Sequence, residues 1–156
     1  MRIGHGYDVH RFGDGELVTI GGVQIPYEKG LVAHSDGDVL IHAIADALLG
    51  ACGERDIGYH FPDTDDAFKN IDSKILLQKI LQLINEKGFE IEYVDSTIVA
   101  QAPKMSPYIE KMRETLSRVL EIDIARINIK ATTEERLGFT GRKEGISAHA
   151  VCLLKE

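Results

Sequence analysis

A chain of 156 residues with 44% hydrophobic side chains is long enough for one domain over residues 1–156, which would bury roughly 70% of its unfolded surface. Its net charge of -7 argues against a protein that binds nucleic acid or anionic lipid, because such proteins present basic surfaces. No run of about 18 apolar residues occurs, so we expect neither a membrane span nor a secretory leader.

The two cysteines, Cys52 and Cys152, stand singly in apolar segments. Isolated apolar positions are typical of reduced thiols in a protein core, and they lack the spacing of a zinc site. We therefore expect a cytoplasmic protein without a disulfide.

The first predicted element is a β-strand over residues 2–10. Its period of two places one set of side chains on an apolar face, namely Ile3, His5, Tyr7 and Val9, and another on the opposite face, namely Gly4, Gly6, Asp8 and His10. The glycines leave the second face bare of side chains, so it suits a site, with Asp8 and His10 together at its far end. On the apolar face, we expect His5 to be a core or hydrogen-bonded residue rather than a ligand.

A hairpin is predicted next. Gly21 and Gly22 separate two short apolar runs, at residues 17–20 and 23–25, which indicates two strands joined by a two-residue turn. Pro26 then ends the second strand.

A buried helix is predicted over residues 39–51, because nearly every residue there is Val, Leu, Ile or Ala. Asp38, His42 and Asp46 are spaced four apart and so lie in one line along this helix. A buried polar line is either hydrogen-bonded core or directed at a metal or ligand.

A metal site is one interpretation of these polar residues. Asp8, His10 and His42 offer one carboxylate and two imidazoles, the ligand set of a tetrahedral zinc with an open fourth position, as in catalytic zinc sites. From the residues alone, the alternative that they are satisfied polar residues of the core stays open. We expect Asp38 and Asp46 to orient other groups or cap helices rather than bind a metal directly.

An irregular stretch follows the helix, from residue 54 to residue 70, and it is rich in Asp and Gly. It is either solvated surface or a flap over an active site, since long loops are often functional. A structural helix is predicted over residues 73–87, with Asp72 as its N-cap and Gly88 at its end.

The C-terminal half is predicted to begin with a strand at residues 91–100. A short loop at residues 101–105 leads into a helix that ends at Leu120, with Ser106 as N-cap and Pro107 in the first turn.

Two further strands, at residues 128–130 and 146–154, flank a loop at residues 132–142. The loop contains threonines, acids, glycines and an arginine, a composition unsuited to a core. Hydroxyls and glycine-exposed amides bind phosphate and glutamate binds hard cations, so this loop is predicted to bind an anion or a metal.

The order of these elements predicts the fold class. Strands, two helices, a strand, a helix and two strands favour an α+β two-layer sandwich, in which helices cover one face of a mixed β-sheet, ferredoxin-like in character. We find no internal repeat and no domain boundary.

Six segments of the chain resemble one known family. They are Arg2-Ile-Gly-His-Gly-Tyr-Asp-Val-His10, Gly21-Gly-Val-Gln-Ile-Pro-Tyr27, Ala33-His-Ser-Asp-Gly-Asp38, Phe61-Pro-Asp-Thr-Asp65, Gln101-Ala-Pro-Lys-Met105, and Ala131-Thr-Thr133 with Leu137-Gly-Phe-Thr-Gly-Arg142. Together they span the chain in family order and are similar to the 2-C-methyl-D-erythritol 2,4-cyclodiphosphate synthase family.

The resemblance implies a lyase of the non-mevalonate isoprenoid pathway. Such an enzyme converts 4-diphosphocytidyl-2-C-methyl-D-erythritol 2-phosphate to the cyclic diphosphate and releases CMP, through attack of the substrate's own 2-phosphate on the β-phosphate. The resemblance also implies a homotrimer with active sites between subunits, and Zn2+ and a second divalent ion, Mg2+ or Mn2+, as cofactors.

Individual residues match family positions. Asp8, His10 and His42 match the zinc ligands, and Glu135 matches the ligand of the second ion. Asp8 and His10 also match positions that contact substrate. His34 and Thr133 match positions that stabilise the transition state. The matching flap residues are Asp56, Ile57, Gly58, Phe61, Pro62, Asp63, Thr64 and Asp65.

The remaining matches concern phosphate, cytidine and the trimer axis. Ser35 lies beside a phosphate together with His34. Residues that match the cytidine pocket contributed by a neighbouring chain are Ala100, Gln101, Ala102, Pro103, Lys104, Met105, Ser106, Ala131, Thr132 and Thr133. Glu134 and Glu135 match further substrate-binding positions. Phe139 and Arg142 match residues near the axis, where an isoprenoid diphosphate could bind. Three positions depart from the family pattern, namely Ser106, Glu134 and Lys143.

Two other functions are kept as alternatives. One is a zinc-dependent nucleotide phosphodiesterase that uses a metal-bound water as nucleophile. The other is a non-catalytic nucleotide-binding module. His60 and His149 match no functional pattern.

Overall fold

A computed structural model describes all residues from 1 to 156. Its strands are β1 Arg2–Gly13, β2 Leu17–Ile20, β3 Val23–Pro26, β4 Gly30–Leu31, β5 Glu90–Val99, β6 Ile127–Thr132 and β7 Gly145–Lys155. Its helices are α1 Val39–Cys52, α2 Ile57–His60, α3 Ser73–Glu86, α4 Ile109–Leu120 and α5 Gly138–Gly141. Short 3-10 turns occur at Asp66–Phe68, Ser106–Tyr108 and Ile124–Arg126.

The main sheet has five strands in the order β4-β1-β7-β5-β6. All neighbours are antiparallel except β5 and β6, which are parallel, so the sheet is mixed. Strands β2 and β3 form a separate hairpin with Ile20 opposite Val23, as predicted. Gly21 and Gly22 form its turn with φ of +59° and +72°, a conformation that glycine adopts without a Cβ penalty.

Helices α1, α3 and α4 cover one face of this sheet. α1 packs on β1 and β7, α3 packs on α1, and α4 packs on β6. The core between the layers contains 37 buried residues. These observations confirm the predicted α+β architecture, whereas the ferredoxin-like character stays a prediction. None of the helices combines the length and hydrophobicity needed to cross a bilayer.

The burial of the two faces of β1 is the reverse of the prediction. The glycine face is buried under α1, because a Cβ at Gly4 or Gly6 would lie 1.8 Å from a helix carbonyl oxygen, that of Ala47 or Ala43. The apolar face is open, and the exposed fraction of Ile3 is 72%. The glycine face lacks side chains, and α1 can therefore pack directly against the backbone of β1. Only the end of this face that carries Asp8 and His10 is left for a site.

Two local predictions also have clear outcomes. Asp38 caps α1, since its side chain accepts from Ile41 N–H, and Asp72 caps α3 through Lys74 N–H. Ser106, by contrast, is not an N-cap: it begins a 3-10 turn, and neither that turn nor α4 has a side-chain cap. Pro107 does lie in the first turn, where its missing N–H costs no helical hydrogen bond.

Candidate metal centre and nucleotide pocket

Three side chains from two elements converge at the end of the glycine face. Asp8 and His10 project from β1, and His42 projects from the first turn of α1. Asp8 Oδ2 lies 3.0 Å from His10 Nε2 and 3.1 Å from His42 Nδ1. The two imidazole nitrogens are 3.3 Å apart. The predicted triad is therefore assembled within one chain.

This geometry fits a bound cation. One ligand atom from each residue lies within 4.8 Å of the others. Two nitrogens that bind one tetrahedral zinc at about 2.0–2.1 Å are separated by roughly 3.3 Å, which matches the observed separation of the His10 and His42 nitrogens. Three protein donors would leave the fourth position of a tetrahedral ion open to another ligand.

The charges within the triad favour an ionised carboxylate. Burial raises the pKa of Asp8, but hydrogen bonds and charges from His10 and His42 outweigh it and lower the pKa to about 2. Burial lowers the pKa of His42, but the hydrogen bond and charge of Asp8 give a net upward shift. Asp8 therefore carries a negative charge that would attract a cation across the neutral pH range.

The outward nitrogens of both imidazoles have partners. His10 Nδ1 lies 3.2 Å from the carbonyl oxygen of Val32. His42 Nε2 lies 2.8 Å from Ser73 Oγ and 3.2 Å from Ser35 Oγ. Such contacts hold ligand rings in one orientation. Ser73 was missed by the sequence analysis because, at the first position of an apolar helix, it has no motif that indicates a function.

Asp38 and Asp46 support the site from outside the triad. Asp38 is fully buried and accepts hydrogen bonds from the N–H groups of Gly21, Gly22 and Ile41. Asp46 Oδ1 accepts from Ile57 N–H at 2.8 Å, which ties α1 to the start of α2. Both acids thus have the capping or orienting roles predicted for them, and neither points into the triad.

A cavity of about 360 Å³ opens beside the triad. It is lined by Asp8, His10, His34, Ser35, His42, Ile57, Gly58, Phe61, Asp63, Phe68, Ile71 and Leu76. The candidate phosphate residues and part of the candidate flap thus meet at the triad. Phe68, Ile71 and Leu76 are additional apolar lining residues, and the Phe61 and Phe68 rings pack edge to face with centroids 5.3 Å apart.

The other flap residues do not line this cavity. Asp56 and Asp65 act as local N-caps, because their carboxylates accept from Tyr59 N–H and Ala67 N–H at 2.9 Å. Pro62 and Thr64 lie in the turn between them. The flap region is thus partly ordered by its own acids.

A second cavity, of about 440 Å³, lies where β5 and β6 end. Its lining residues are Ala100, Gln101, Pro103, Lys104, Met105, Ser106, Ala131, Thr132 and Thr133. These are the residues whose motif indicates a cytidine pocket, with Ala102 next to them in the chain. None of them lines the cavity at the triad, so the candidate catalytic residues His34 and Thr133 belong to different cavities.

The two cavities lie at the same end of the sheet. Val9 pairs with Ser147, Ser147 pairs with Val99, and Val99 pairs with Thr132. Three strand spacings of about 4.8 Å therefore separate Val9 from Thr132, a distance of about 14 Å.

Glu135, the candidate ligand of a second ion, lies away from the triad of its own chain. It is exposed, has a φ of +54°, and its N–H donates to Thr133 Oγ1 at 3.3 Å. The neighbouring Glu134 is held differently, since its carboxylate accepts from the Thr140 hydroxyl.

Phe139 and Arg142, the two residues that the family resemblance relates to a trimer axis, lie near the surface. Phe139 is exposed, and Arg142 Nε donates to Glu144 Oε2 at 2.9 Å.

Besides His34, which lines the cavity at the triad, three histidines lie outside the triad. His5 Nε2 lies 3.3 Å from His149 Nδ1 on the exposed sheet face, so His5 is hydrogen-bonded as predicted but is not part of the core. His60 Nε2 donates to the carbonyl oxygen of Glu54 at 2.7 Å.

Comparison with known proteins gives consistent matches along the chain. The YgbB family model matches residues 1–155. A Pseudomonas putida (strain W619) protein named 2-C-methyl-D-erythritol 2,4-cyclodiphosphate synthase is 61% identical over 154 residues, which are 99% of this chain and 98% of the relative.

Solved structures agree with this match. The bifunctional IspDF from Campylobacter jejuni superposes with a TM-score of 0.95 at 46% identity, covering 99% of this chain. This chain spans 42% of that longer protein. The CDP complex of IspF from Plasmodium falciparum superposes with a TM-score of 0.86 at 39% identity, covering 98% of this chain and 94% of that one.

Proposed function

The chain belongs to the YgbB family, that of the 2-C-methyl-D-erythritol 2,4-cyclodiphosphate synthases, and from this premise we propose how its two cavities carry out the reaction. It is a metal-binding lyase of isoprenoid biosynthesis that acts on a CDP-linked substrate. In the reaction, an oxygen of the substrate's 2-phosphate forms a bond to the β-phosphorus, and the bond from that phosphorus to the CMP oxygen breaks. CMP leaves with the bonding electron pair. The observation that carries the proposal is the convergence of Asp8, His10 and His42 on one point.

We propose that these three residues hold Zn2+. A carboxylate and two imidazoles are ligands that zinc favours, and the separation of the two nitrogens suits a tetrahedral ion. When bound, the ion supplies Lewis-acid polarisation of the phosphoryl group and a template for the two phosphates. A chain with a net charge of -7 needs such a local positive charge to bind a phosphorylated substrate.

The residues around the triad position the substrate. His34 and Ser35 line the same cavity as the triad and would donate hydrogen bonds to phosphate oxygens. Gly58 and Asp63 of the flap would hold the methylerythritol hydroxyls, and Phe61 would exclude water. No protein nucleophile is needed, so catalysis rests on orientation and on stabilisation of charge.

We assign the second cavity to cytidine. It lies between two loops with exposed amides and hydroxyls, and it contains Lys104, whose ammonium would pair with a phosphate. The CDP complex of the Plasmodium falciparum relative supports a nucleotide-binding role for this fold.

We propose a homotrimer in which the cytidine cavity of one subunit completes the metal cavity of its neighbour. One chain separates the two cavities by about 14 Å, and heterologous contact in a cyclic assembly would join them. The exposed sheet face carries Ile3, Tyr7, Val9 and Val151 beside the His5–His149 pair, so it combines apolar side chains with a few polar ones, as surfaces buried between subunits do. Thr133 and Glu135 would then reach the triad of the adjacent chain, where Glu135 would hold Mg2+ or Mn2+.

Three further proposals concern the context of the enzyme. Phe139 and Arg142 would bind an isoprenoid diphosphate at the trimer axis, the ring contacting the chain and the guanidinium contacting a phosphate. Buried, unpaired Cys52 and Cys152 support a cytoplasmic location. Residues 1–156 are proposed to form one domain.

Product analysis tests this function. The CDP-linked substrate is incubated with the enzyme, with and without a chelator, and followed by phosphorus NMR. We expect equal amounts of CMP and a cyclic diphosphate, and loss of both with chelator. A linear phosphate product would instead identify a phosphodiesterase, and absence of turnover in metal-loaded enzyme would favour a nucleotide-binding module.

A further inference from the structure

The outward nitrogen of His42 has a buried partner outside the triad. Its Nδ1 faces Asp8, while Nε2 lies 2.8 Å from the hydroxyl of Ser73. Ser73 is the first residue of α3, and its exposed fraction is 0%. The Ser35 hydroxyl is farther from Nε2, at 3.2 Å.

Asp36 fixes the direction of the Ser73 hydroxyl. One Asp36 oxygen lies 2.5 Å from Ser73 Oγ, and the other accepts from Ser73 N–H at 2.9 Å. An ionised carboxylate has no proton to donate, so the single hydroxyl proton of Ser73 is directed to Asp36. The lone pairs of Ser73 Oγ are then left to accept a hydrogen bond from His42 Nε2–H.

This chain of hydrogen bonds selects one form of the imidazole. A neutral histidine carries its proton on either Nε2 or Nδ1, and a nitrogen that carries the proton cannot bind a metal. With the proton held on Nε2 by Ser73, the lone pair of Nδ1 points to the position shared with Asp8 and His10. The chain also links the loop before α1 to the start of α3, which restricts rotation of the ring.

We propose that Asp36 and Ser73 are positioning residues that hold His42 in the Nε2–H tautomer for metal binding. This inference rests on the proposed zinc site. The two serines would then have different roles. Ser73 would orient His42, whereas Ser35 lines the cavity and could contact a phosphate. Loss of such an outer partner costs about 10–100-fold in metal affinity in comparable sites.

The test begins with zinc-loaded enzyme and measures zinc affinity by competition with a chelator. Ser73→Ala is expected to weaken zinc binding about 10–100-fold. Ser35→Ala is the matched control, since it also removes a hydroxyl near Nε2, and it should retain wild-type zinc affinity even though its turnover falls. Ser73→Thr keeps the hydroxyl and is expected to restore binding.

A second readout follows the proton itself. Long-range proton–nitrogen NMR of the imidazoles in metal-free enzyme, at a pH where His42 is neutral, should show His42 protonated at Nε2 in the wild type and lose this signature in Ser73→Ala. Metal-free protein is required, because a zinc-bound Nδ1 would leave the proton on Nε2 with or without Ser73. Asp36→Asn, which leaves no cavity, is expected to weaken zinc binding in the same direction, so the proposal does not depend on folding of the Ser73 variant.

Wild-type zinc affinity and an unchanged His42 tautomer in Ser73→Ala and Asp36→Asn would overturn the inference. His42→Ala separates this failure from failure of the zinc site. If His42→Ala binds zinc weakly while the two outer variants bind normally, the zinc site stands and the positioning role is wrong. If all three bind normally, the zinc site itself is wrong, and the positioning role with it.

Discussion

Gly6 lies directly against the carbonyl oxygen of Ala43, so that a Cβ on Gly6 would approach this oxygen to 1.8 Å. Two residues after Gly6 comes Asp8, and the residue before Ala43 is His42. The close approach of strand β1 to helix α1 therefore also sets the separation between the carboxylate and the imidazole of the metal site.

Gly6→Ala is accordingly predicted to destabilise the protein and weaken metal binding together. The added methyl group must push β1 away from α1, and such overpacking typically costs about 1–3 kcal/mol. Urea unfolding of metal-free protein and a zinc titration measure the two effects. Gly50→Ala in α1 is the control, because its Cβ would meet no atom closer than 3.9 Å, and it should be neutral or stabilising. Wild-type stability in Gly6→Ala would contradict the packing described above.

The zinc assignment predicts that His42→Ala loses bound metal and at least about 100-fold in activity while it stays folded. The reason is that two ligands remain where three are needed for a stable open site. Metal content by atomic absorption, turnover and circular dichroism measure the three quantities. His60→Ala, outside the triad, should keep metal and activity. Full activity of metal-free His42→Ala would refute the assignment.

The parts of this site that can be predicted from the sequence are those set by patterns within a single strand or helix. The alternation of β1 puts Asp8 and His10 on one face, and the helical spacing puts His42 in line with Asp38. These patterns offered the metal triad as one of two interpretations, and the family resemblance favoured it over polar residues of the core. Which face of β1 is buried could not be predicted, since the apolar side chains of Ile3 and Tyr7 favour the core although both are exposed. The deciding factor is the close backbone approach that glycine permits.

The loop residues were harder to place for a related reason. Within their own chain, Thr133 Oγ1 accepts from Glu135 N–H and neither residue lines the cavity at the triad, so local patterns give their chemistry and not their location. Ser73 and Asp36 are far apart in sequence and meet only through the packing of α3 beside α1. Family resemblance supplied Thr133 and Glu135 but gave no role to Ser73, and three-dimensional contacts were needed to relate Ser73 to Asp36 and His42.

The position of Asp63 in the flap predicts that binding of the methylerythritol part of the substrate can be impaired without loss of nucleotide binding. Asp63 lines the metal cavity and not the cytidine cavity. Asp63→Ala should therefore lower kcat/KM by about 10–100-fold, as expected for a lost hydrogen bond to a polar substrate group, and leave CMP affinity unchanged. Steady-state kinetics and calorimetric titration with CMP measure these quantities. The nearby Asp66→Ala, outside both cavities, serves as control. An equal loss of CMP affinity would count against a separate nucleotide pocket.

Cys152 predicts a pH dependence of stability at high pH. Burial raises the pKa of its thiol to about 12, above the ordinary value of 9.0. The folded state therefore keeps a proton that the unfolded state loses. The resulting stabilisation is fully present below about pH 9 and is lost as the pH rises towards 12.

Thiol labelling of the Cys52→Ala variant at pH 8 checks this prediction, because Cys152 is then the only thiol. We expect slow labelling of the native protein and rapid labelling in urea, and urea unfolding at pH 8 and pH 10 should show lower stability at pH 10. Labelling of native protein at the rate of a free thiol would be inconsistent with a buried Cys152.

The central claim is that each active site combines the metal cavity of one subunit with the cytidine cavity of the next. Subunit complementation tests it most directly, with His42→Ala subunits mixed in equal amounts with Lys104→Glu subunits. Each homotrimer should be nearly inactive, since every site has one defective half.

In a cyclic trimer, every mixed assembly has one interface at which both halves are intact. Random exchange makes about three quarters of the trimers mixed, so activity should return to about a quarter of the wild-type value. Native mass spectrometry establishes that exchange has occurred. If mixed trimers form and no activity returns, each chain builds its site alone and the shared-site account is wrong.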